Sequence, residues 1–144
     1  MYKFFILVAS ITFGNASMAQ KKEAISVEKI PVELTSFINI NFPSNSILNA
    51  EIDYEKNASP VYDINLKDGT ELEFNSAYQL IEIENKNGVS KKLIPEKILN
   101  YISKNYGKAT IIEWSKGANQ QEVELNNKVK LLFDNSDEFL SIKK

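Results

Sequence analysis

The chain contains no cysteine, no histidine and no arginine. Without thiols there are no disulfides, so a protein of an oxidising compartment must here be held together by its core. Nor is there a cysteine to acylate, which argues against a lipoprotein anchor. Lacking both histidine and cysteine, the sequence offers no usual zinc, copper or haem ligand set and no Ser-His or Cys-His nucleophile pair. It also has no side chain whose ordinary pKa lies near neutrality. All 17 cations are lysines, set against 19 carboxylates. That balance, with no arginine for bidentate base contacts, excludes a nucleic-acid partner. Carboxylate or lysine chemistry and calcium remain open.

A long hydrophobic run is missing too. The apolar stretch from Phe4 to Phe13 is about half the roughly 20 residues that a membrane span requires. It follows Lys3 and precedes Ala16-Ser17-Met18-Ala19, the three-part pattern of a secretory signal peptide with cleavage after Ala19. The expectation is a mature chain starting at Gln20, with no membrane span and a periplasmic or secreted location. Cleavage there leaves 125 of 144 residues, 16 lysines and 19 acids, enough for one ordinary domain or two small units sharing a core.

What the sequence does contain is an internal repeat. Pro31 to Glu84 aligns with Pro95 to Lys143, through Pro31/Pro95, Ile38/Ile102, Asn41/Asn105 and Ile47/Ile111, then, after a shorter loop, Leu66/Leu125, Leu72/Leu131, Phe74/Phe133 and Ile83/Ile142. A repeat of this kind implies one supersecondary unit used twice. Each copy opens on Ile-Pro, at Ile30-Pro31 and Ile94-Pro95, and proline suits a helix start because it gives up no intrahelical bond there. Leu34, Phe37 and Ile38, and likewise Ile98, Tyr101 and Ile102, keep the spacing of one buried helical stripe. Pro43 and Gly107 end the two helices.

The rest of each copy alternates with period two, which predicts four strands: near 46–54, 61–67, 70–75 and 79–85, then near 109–116, 120–126, 128–134 and 138–143. Lys67-Asp68-Gly69 and Asn126-Asn127 supply turn residues that tolerate positive φ. Inward residues are expected at Ile64, Leu66, Leu72, Phe74, Ile81 and Ile83, with Val123, Leu125, Leu131, Phe133, Leu140 and Ile142 as counterparts. The fold class expected is α+β: two tandem units, each a helix plus a four-stranded antiparallel sheet, with the helices on one face. Residues 1–19 are then the signal peptide, 20–30 a flexible lead-in, 31–85 the first unit, 86–94 a connector and 95–144 the second unit.

Tyr62 to Asn75, reading YDINLKDGTELEFN, resembles the exported PepSY-like family, whose units run helix, alternating strand, Asn/Asp-Gly turn and a strand ending in Phe-Asp. Gln121 to Asp134, QEVELNNKVKLLFD, keeps the frame but has Lys128 where the turn glycine would stand. The resemblance covers nearly all of the mature chain. It implies the fold of β-lactamase inhibitor proteins, a saddle-like sheet whose open face contacts a partner, and a non-catalytic role; PepSY domains more broadly are associated with binding or restraining proteases. No catalytic residue carries over.

No catalytic, metal or cofactor-binding residue is therefore expected, and the candidate contacts are all for a partner. An open sheet face would carry Asp63, Glu71 and Glu73 in one copy and Glu122 and Glu124 in the other. Paired carboxylates can do acid/base work only in a pocket that raises one pKa, and nothing in the sequence marks such a pocket. Trp114, the sole tryptophan, stands where the first copy has Ala50. It either anchors a partner on that face or fills the junction between units. Tyr54 and Tyr62 flank the loop Glu55 to Pro60 as an aromatic rim or as ordinary strand-edge residues. Asp134-Asn135-Ser136-Asp137-Glu138 lacks the frame of a calcium loop and reads as a turn. The expected function is a binding module for an envelope or secreted protein or peptide, with a small-molecule or ion carrier as the alternative.

Overall fold

The computed structural model describes residues 21–54 and 59–143. The expected signal peptide lies outside them, as do residues 55–58 of the loop Glu55 to Pro60. In chain order the elements are β1 (Lys21–Ile25), a 3-10 turn (Val27–Lys29), α1 (Val32–Asn41), β2 (Ile47–Tyr54), β3 (Val61–Leu66), β4 (Glu71–Phe74) and β5 (Leu80–Glu84). A second 3-10 turn (Lys91–Leu93), α2 (Glu96–Tyr106), β6 (Ile111–Lys116), β7 (Gln120–Leu125), β8 (Lys130–Asp134) and β9 (Phe139–Lys143) follow. All nine strands form one antiparallel sheet whose spatial order is the chain order.

The repeat is visible down to single hydrogen bonds. Pro31 and Pro95 each occupy the N-cap of their helix. Near the helix ends, Asn41 Nδ2 donates to the Phe37 carbonyl at 2.9 Å and Asn105 Nδ2 to the Tyr101 carbonyl at 2.8 Å. The hairpin after β3 closes with Gly69 N–H donating to Leu66 O at 3.1 Å and Thr70 N–H to Asp68 Oδ1 at 2.9 Å. The hairpin after β7 repeats this with Lys128 N–H to Leu125 O at 2.9 Å and Val129 N–H to Asn127 Oδ1 at 3.2 Å. Bulges recur at matching places too, between Glu73 and Phe74 and between Leu132 and Phe133.

One core lies between the helices and one face of the sheet. Leu34 and Ile38 of α1 and Ile98 and Ile102 of α2 are buried in the same cluster as Ile64, Leu72, Phe74, Val123, Leu131 and Phe133. Phe37 meets Phe74 edge-on at 5.1 Å, and Tyr101 meets Phe133 edge-on at 5.5 Å. Phe74 and Phe133 are fully buried, each a burial of about 1.5–3 kcal/mol relative to exposure.

The expectation of two tandem units, each a helix plus its own four-stranded sheet, is corrected by this topology to a single nine-stranded sheet with two short helices. β5 pairs with β6 through Glu82↔Ser115, Ile83↔Trp114 and Glu84↔Glu113, so the hydrogen-bond ladder runs unbroken from one copy into the next. Asn85 N–H to Ile112 O and Val89 N–H to Ile111 O, both 2.9 Å, extend the seam into the residues expected as a connector. The expected flexible lead-in instead contains β1, which pairs along β2 from Lys21↔Tyr54 to Ile25↔Ala50 and makes the ninth strand. Leu140 and Ile142, expected to face inward, are 52% and 55% exposed: β9 is the last strand of the sheet, and the bulge opposite Leu132 and Phe133 sets Phe139 rather than Leu140 against the core, stacked on Tyr101 at 4.5 Å.

Candidate functional site

Period-two alternation leaves one sheet face to the core and the other to solvent. Register sets Glu51, Asp63, Glu73, Glu82, Ser115 and Glu122 side by side in one row of the solvent face. Asn65, Glu71, Glu84, Glu113, Glu124 and Lys130 form the next row. Like charges directly opposite each other destabilise a sheet, and here carboxylates face carboxylates across five consecutive strand pairs, from β2–β3 to β6–β7.

Cations stand at the two flanks. Lys22 Nζ on β1 donates to Asp63 Oδ2 at 2.8 Å and lies 3.9 Å from Asp53 Oδ2; the bond to Asp63 raises the lysine's pKa. On the far side Lys130 contacts Glu124 at 2.8 Å and Glu122 at 3.6 Å, and Lys143 contacts Glu122 at 2.6 Å. Lys130 holds Glu124 below the usual carboxylate range. The central strands β4, β5 and β6 bring Glu71, Glu73, Glu82, Glu84 and Glu113 to this face and no lysine. Burial, together with the charges of Glu73, Glu113, Glu84 and Asp63, pushes Glu82 up to about 7. Burial likewise raises Glu113, with Glu124 and Glu84 adding to it against the opposing charge of Lys130. A hollow of about 130 Å³ lies over Asp63, Asn65, Glu71, Glu73 and Glu82. Beside it, Asp53 Oδ1 and Asp63 Oδ1 are buried and accept no hydrogen bond.

The acidic residues singled out in the sequence, Asp63, Glu71, Glu73, Glu122 and Glu124, thus come together on the open face. Trp114 and Tyr62 do not join them. Trp114 is 5% exposed, pairs with the core residue Ile83, and donates from Nε1 to Gln121 Oε1 at 3.0 Å. Tyr62 packs edge-on to Tyr78 at 5.5 Å against the core, and its burial there raises the phenol's pKa. Tyr54 closes β2 on the side of Tyr62 and is 43% exposed. The tyrosines form no rim on the acidic face.

Comparing the copies explains this placement. Where the second has Trp114, Gln121 and Asp137, the first has Ala50, Tyr62 and Tyr78. Bulk removed at one position is restored at its neighbours, and the Tyr62–Tyr78 contact is replaced by a 2.6 Å hydrogen bond from Gln121 Nε2 to Asp137 Oδ1. The Asp134 segment is a turn, its Oδ1 accepting from Ser136 and Glu138 N–H at 2.8 and 2.9 Å. Glu82, Glu84 and Glu113 escaped the sequence reading although their alternation with Ile83 and Trp114 was there to see. Their meeting depends on the β5–β6 pairing, which a repeat alignment does not reveal.

A family model described as beta-lactamase-inhibitor-like, PepSY-like matches residues 13–82 and again residues 60–141. The chain belongs to the PepSY-like family. No curated protein matches it. Three solved structures share the PepSY-like fold seen here. A candidate periplasmic protein of unknown function from Bacteroides vulgatus ATCC 8482 is 27% identical, with TM-score 0.80, over 86% of this chain and 100% of that one. A second from the same organism, assigned to the DUF2874 family, is 25% identical with TM-score 0.79, over 88% and 99%. The third, from Bacteroides thetaiotaomicron, is described as a candidate calcium-regulated periplasmic protein; it is 23% identical with TM-score 0.78, over 85% and 97%. The periplasmic or secreted location read from the N-terminal segment agrees with the compartment given for all three. Among the described residues no helix is long and apolar enough to cross a membrane.

Proposed function

We propose that this PepSY-like protein is a non-catalytic exported binding module whose open sheet face takes a lysine- or arginine-bearing segment of another envelope or secreted protein. The observation that carries the reading is the double row of carboxylates across β3 to β7, with lysines only at its flanks. Such a face costs stability through like-charge repulsion, most acutely at Glu82. A cationic partner relieves that cost on binding, so the complementarity supplies both attraction and specificity. The nine strands make the face long enough for an extended segment.

A divalent cation is the second reading. Asp53 Oδ1 and Asp63 Oδ1 are buried without donors, and one structural neighbour carries calcium regulation in its description. Against it, no group of three carboxylates among the described residues is arranged to hold a metal ion as it stands.

Fluorescence anisotropy with a labelled lysine-rich peptide, its glutamate-substituted counterpart and calcium chloride as competitor separates these readings. The basic peptide is expected to bind, more weakly as salt rises, and Glu73→Gln with Glu82→Gln to weaken it by about tenfold, the equivalent of 1.4 kcal/mol. Equal binding of the acidic peptide, or an unaffected double variant, overturns the proposal. Calcium binding at low concentration with no peptide binding favours the second reading.

A further inference from the structure

A cavity lies on the opposite side of the sheet from the carboxylates, at the seam between the two copies. It encloses about 680 Å³, within the roughly 300–1,000 Å³ range of small-molecule sites. Its apolar wall comes from Leu80 and Ile81 of β5, Leu93 and Ile94 ahead of α2, and Trp114 of β6. Asn75 and Gln79 supply an amide edge, already bonded to each other at 3.1 Å. Gln121, 1% exposed, has its amide committed to Trp114, the Asp134 carbonyl and Asp137. The polar floor is therefore satisfied and rigid, and it asks for nothing from a ligand.

The charges differ. Lys92 and Lys116 line this cavity, and no carboxylate does. Among the described residues neither lysine has a carboxylate within ion-pair distance, as is true of most of the described lysines; what sets this pair apart is that both line one cavity with no carboxylate beside them. On a chain with net charge −2, two unpaired cations beside an apolar wall are a local reversal of sign. The cavity is lined by features that set the second copy apart. Its apolar floor is Trp114, standing where the first copy has Ala50, and its rim at Gly117 and Ala118 belongs to the tight connection from β6 to β7, where the first copy has the longer loop after Tyr54.

From these observations we infer that the seam cavity is a binding site for an amphipathic organic anion, an apolar chain or ring lying on Leu80, Ile81 and Trp114 with its carboxylate between Lys92 and Lys116. Burying the apolar body supplies affinity at about 25 cal/mol per Å² removed from water, and the lysines select the anionic headgroup. The site is independent of the acidic face.

Trp114 is the only tryptophan, so its emission and its single indole N–H resonance report on the cavity without a label. The mature chain is titrated with decanoate, decanol and decylammonium. Decanoate is expected to give a saturable change in both signals and to bind about tenfold tighter than decanol, as one charge-assisted contact would provide; decylammonium should be the weakest. Lys92→Gln with Lys116→Gln should cut decanoate affinity by about that factor and leave decanol affinity and the melting temperature unchanged, because both lysines are exposed. Glu73→Gln with Glu82→Gln should leave decanoate binding intact, which keeps this result separate from the fate of the acidic face. No saturable signal, equal binding of the three probes, or an unaffected lysine double variant overturns the inference.

Discussion

In a chain with no histidine, Glu82 is pushed up to about 7 by burial and by the charges of Glu73, Glu113, Glu84 and Asp63. An acid whose folded pKa is raised holds its proton in the native state after the unfolded chain has lost it. From pH 4.5 to 7 the native state therefore binds more protons than the unfolded one, and stability falls as pH rises through that window. The flanking pairs do not mask this. Glu124, held down by Lys130, contributes stability above the ordinary carboxylate pKa and loses it only as pH falls. The expected outcome is a lower melting temperature at pH 7.5 than at pH 5.5, with Glu82→Gln flattening most of the difference. A basic peptide bound on the open face should flatten it too, by stabilising the ionised form. An unchanged slope in Glu82→Gln would locate the titration elsewhere on the face, with Glu113 the next residue to replace.

Among the elements, the two hairpins test how far the copies have diverged. Gly69 sits at φ 88° and Lys128, its counterpart, at φ 69°. Glycine occupies this left-handed region freely, whereas a residue with a Cβ is strained there. Lys128→Gly should raise stability by about 0.5–1 kcal/mol, measured by urea denaturation, because the lysine is exposed. Gly88 predicts the opposite sign. It stands at φ 111°, and a Cβ there would come within 2.7 Å of Thr110 Cγ2. Gly88→Ala should therefore destabilise by about 1–3 kcal/mol, in the stretch where Asn85 and Val89 stitch the copies together. Equal stability of Gly88→Ala and the parent would show that this seam yields easily.

For the molecule as a whole, the question is whether two repeats make two folding units. Their ladders join at β5–β6 and their helices share one core, so neither half is closed without the other. The mature chain is expected to unfold in one cooperative transition, with calorimetric and van't Hoff enthalpies equal. Two resolved transitions would instead mean that the seam holds two independent units. The same continuity builds both candidate sites. Glu82 meets Glu113 through Glu84 and Ser115 only because β5 lies beside β6, and the cavity over Trp114 is bounded by β5 of one copy and α2's approach in the other.

The sequence alone determined the repeat, both helices, eight of the nine strands and the hairpin turns, because each rests on local chemistry: alternation, helical spacing, an Ile-Pro start, an Asx or glycine turn. It also placed the acidic positions Asp63, Glu71, Glu73, Glu122 and Glu124 on one face, since alternation by itself assigns a face. Three things were decided by tertiary structure. β1 became a strand because β2 offered a free edge to Lys21–Ile25, an attraction between backbones that side-chain pattern does not encode. The copies merged into one sheet because β5 and β6 lie together, a pairing between repeats that no alignment of one with the other contains. Trp114 and Tyr62 turned inward because each compensates in volume for the other copy's residue, Ala50 or Gln121, within a shared core. Local chemistry thus specified the elements, and long-range pairing and packing specified which faces they present.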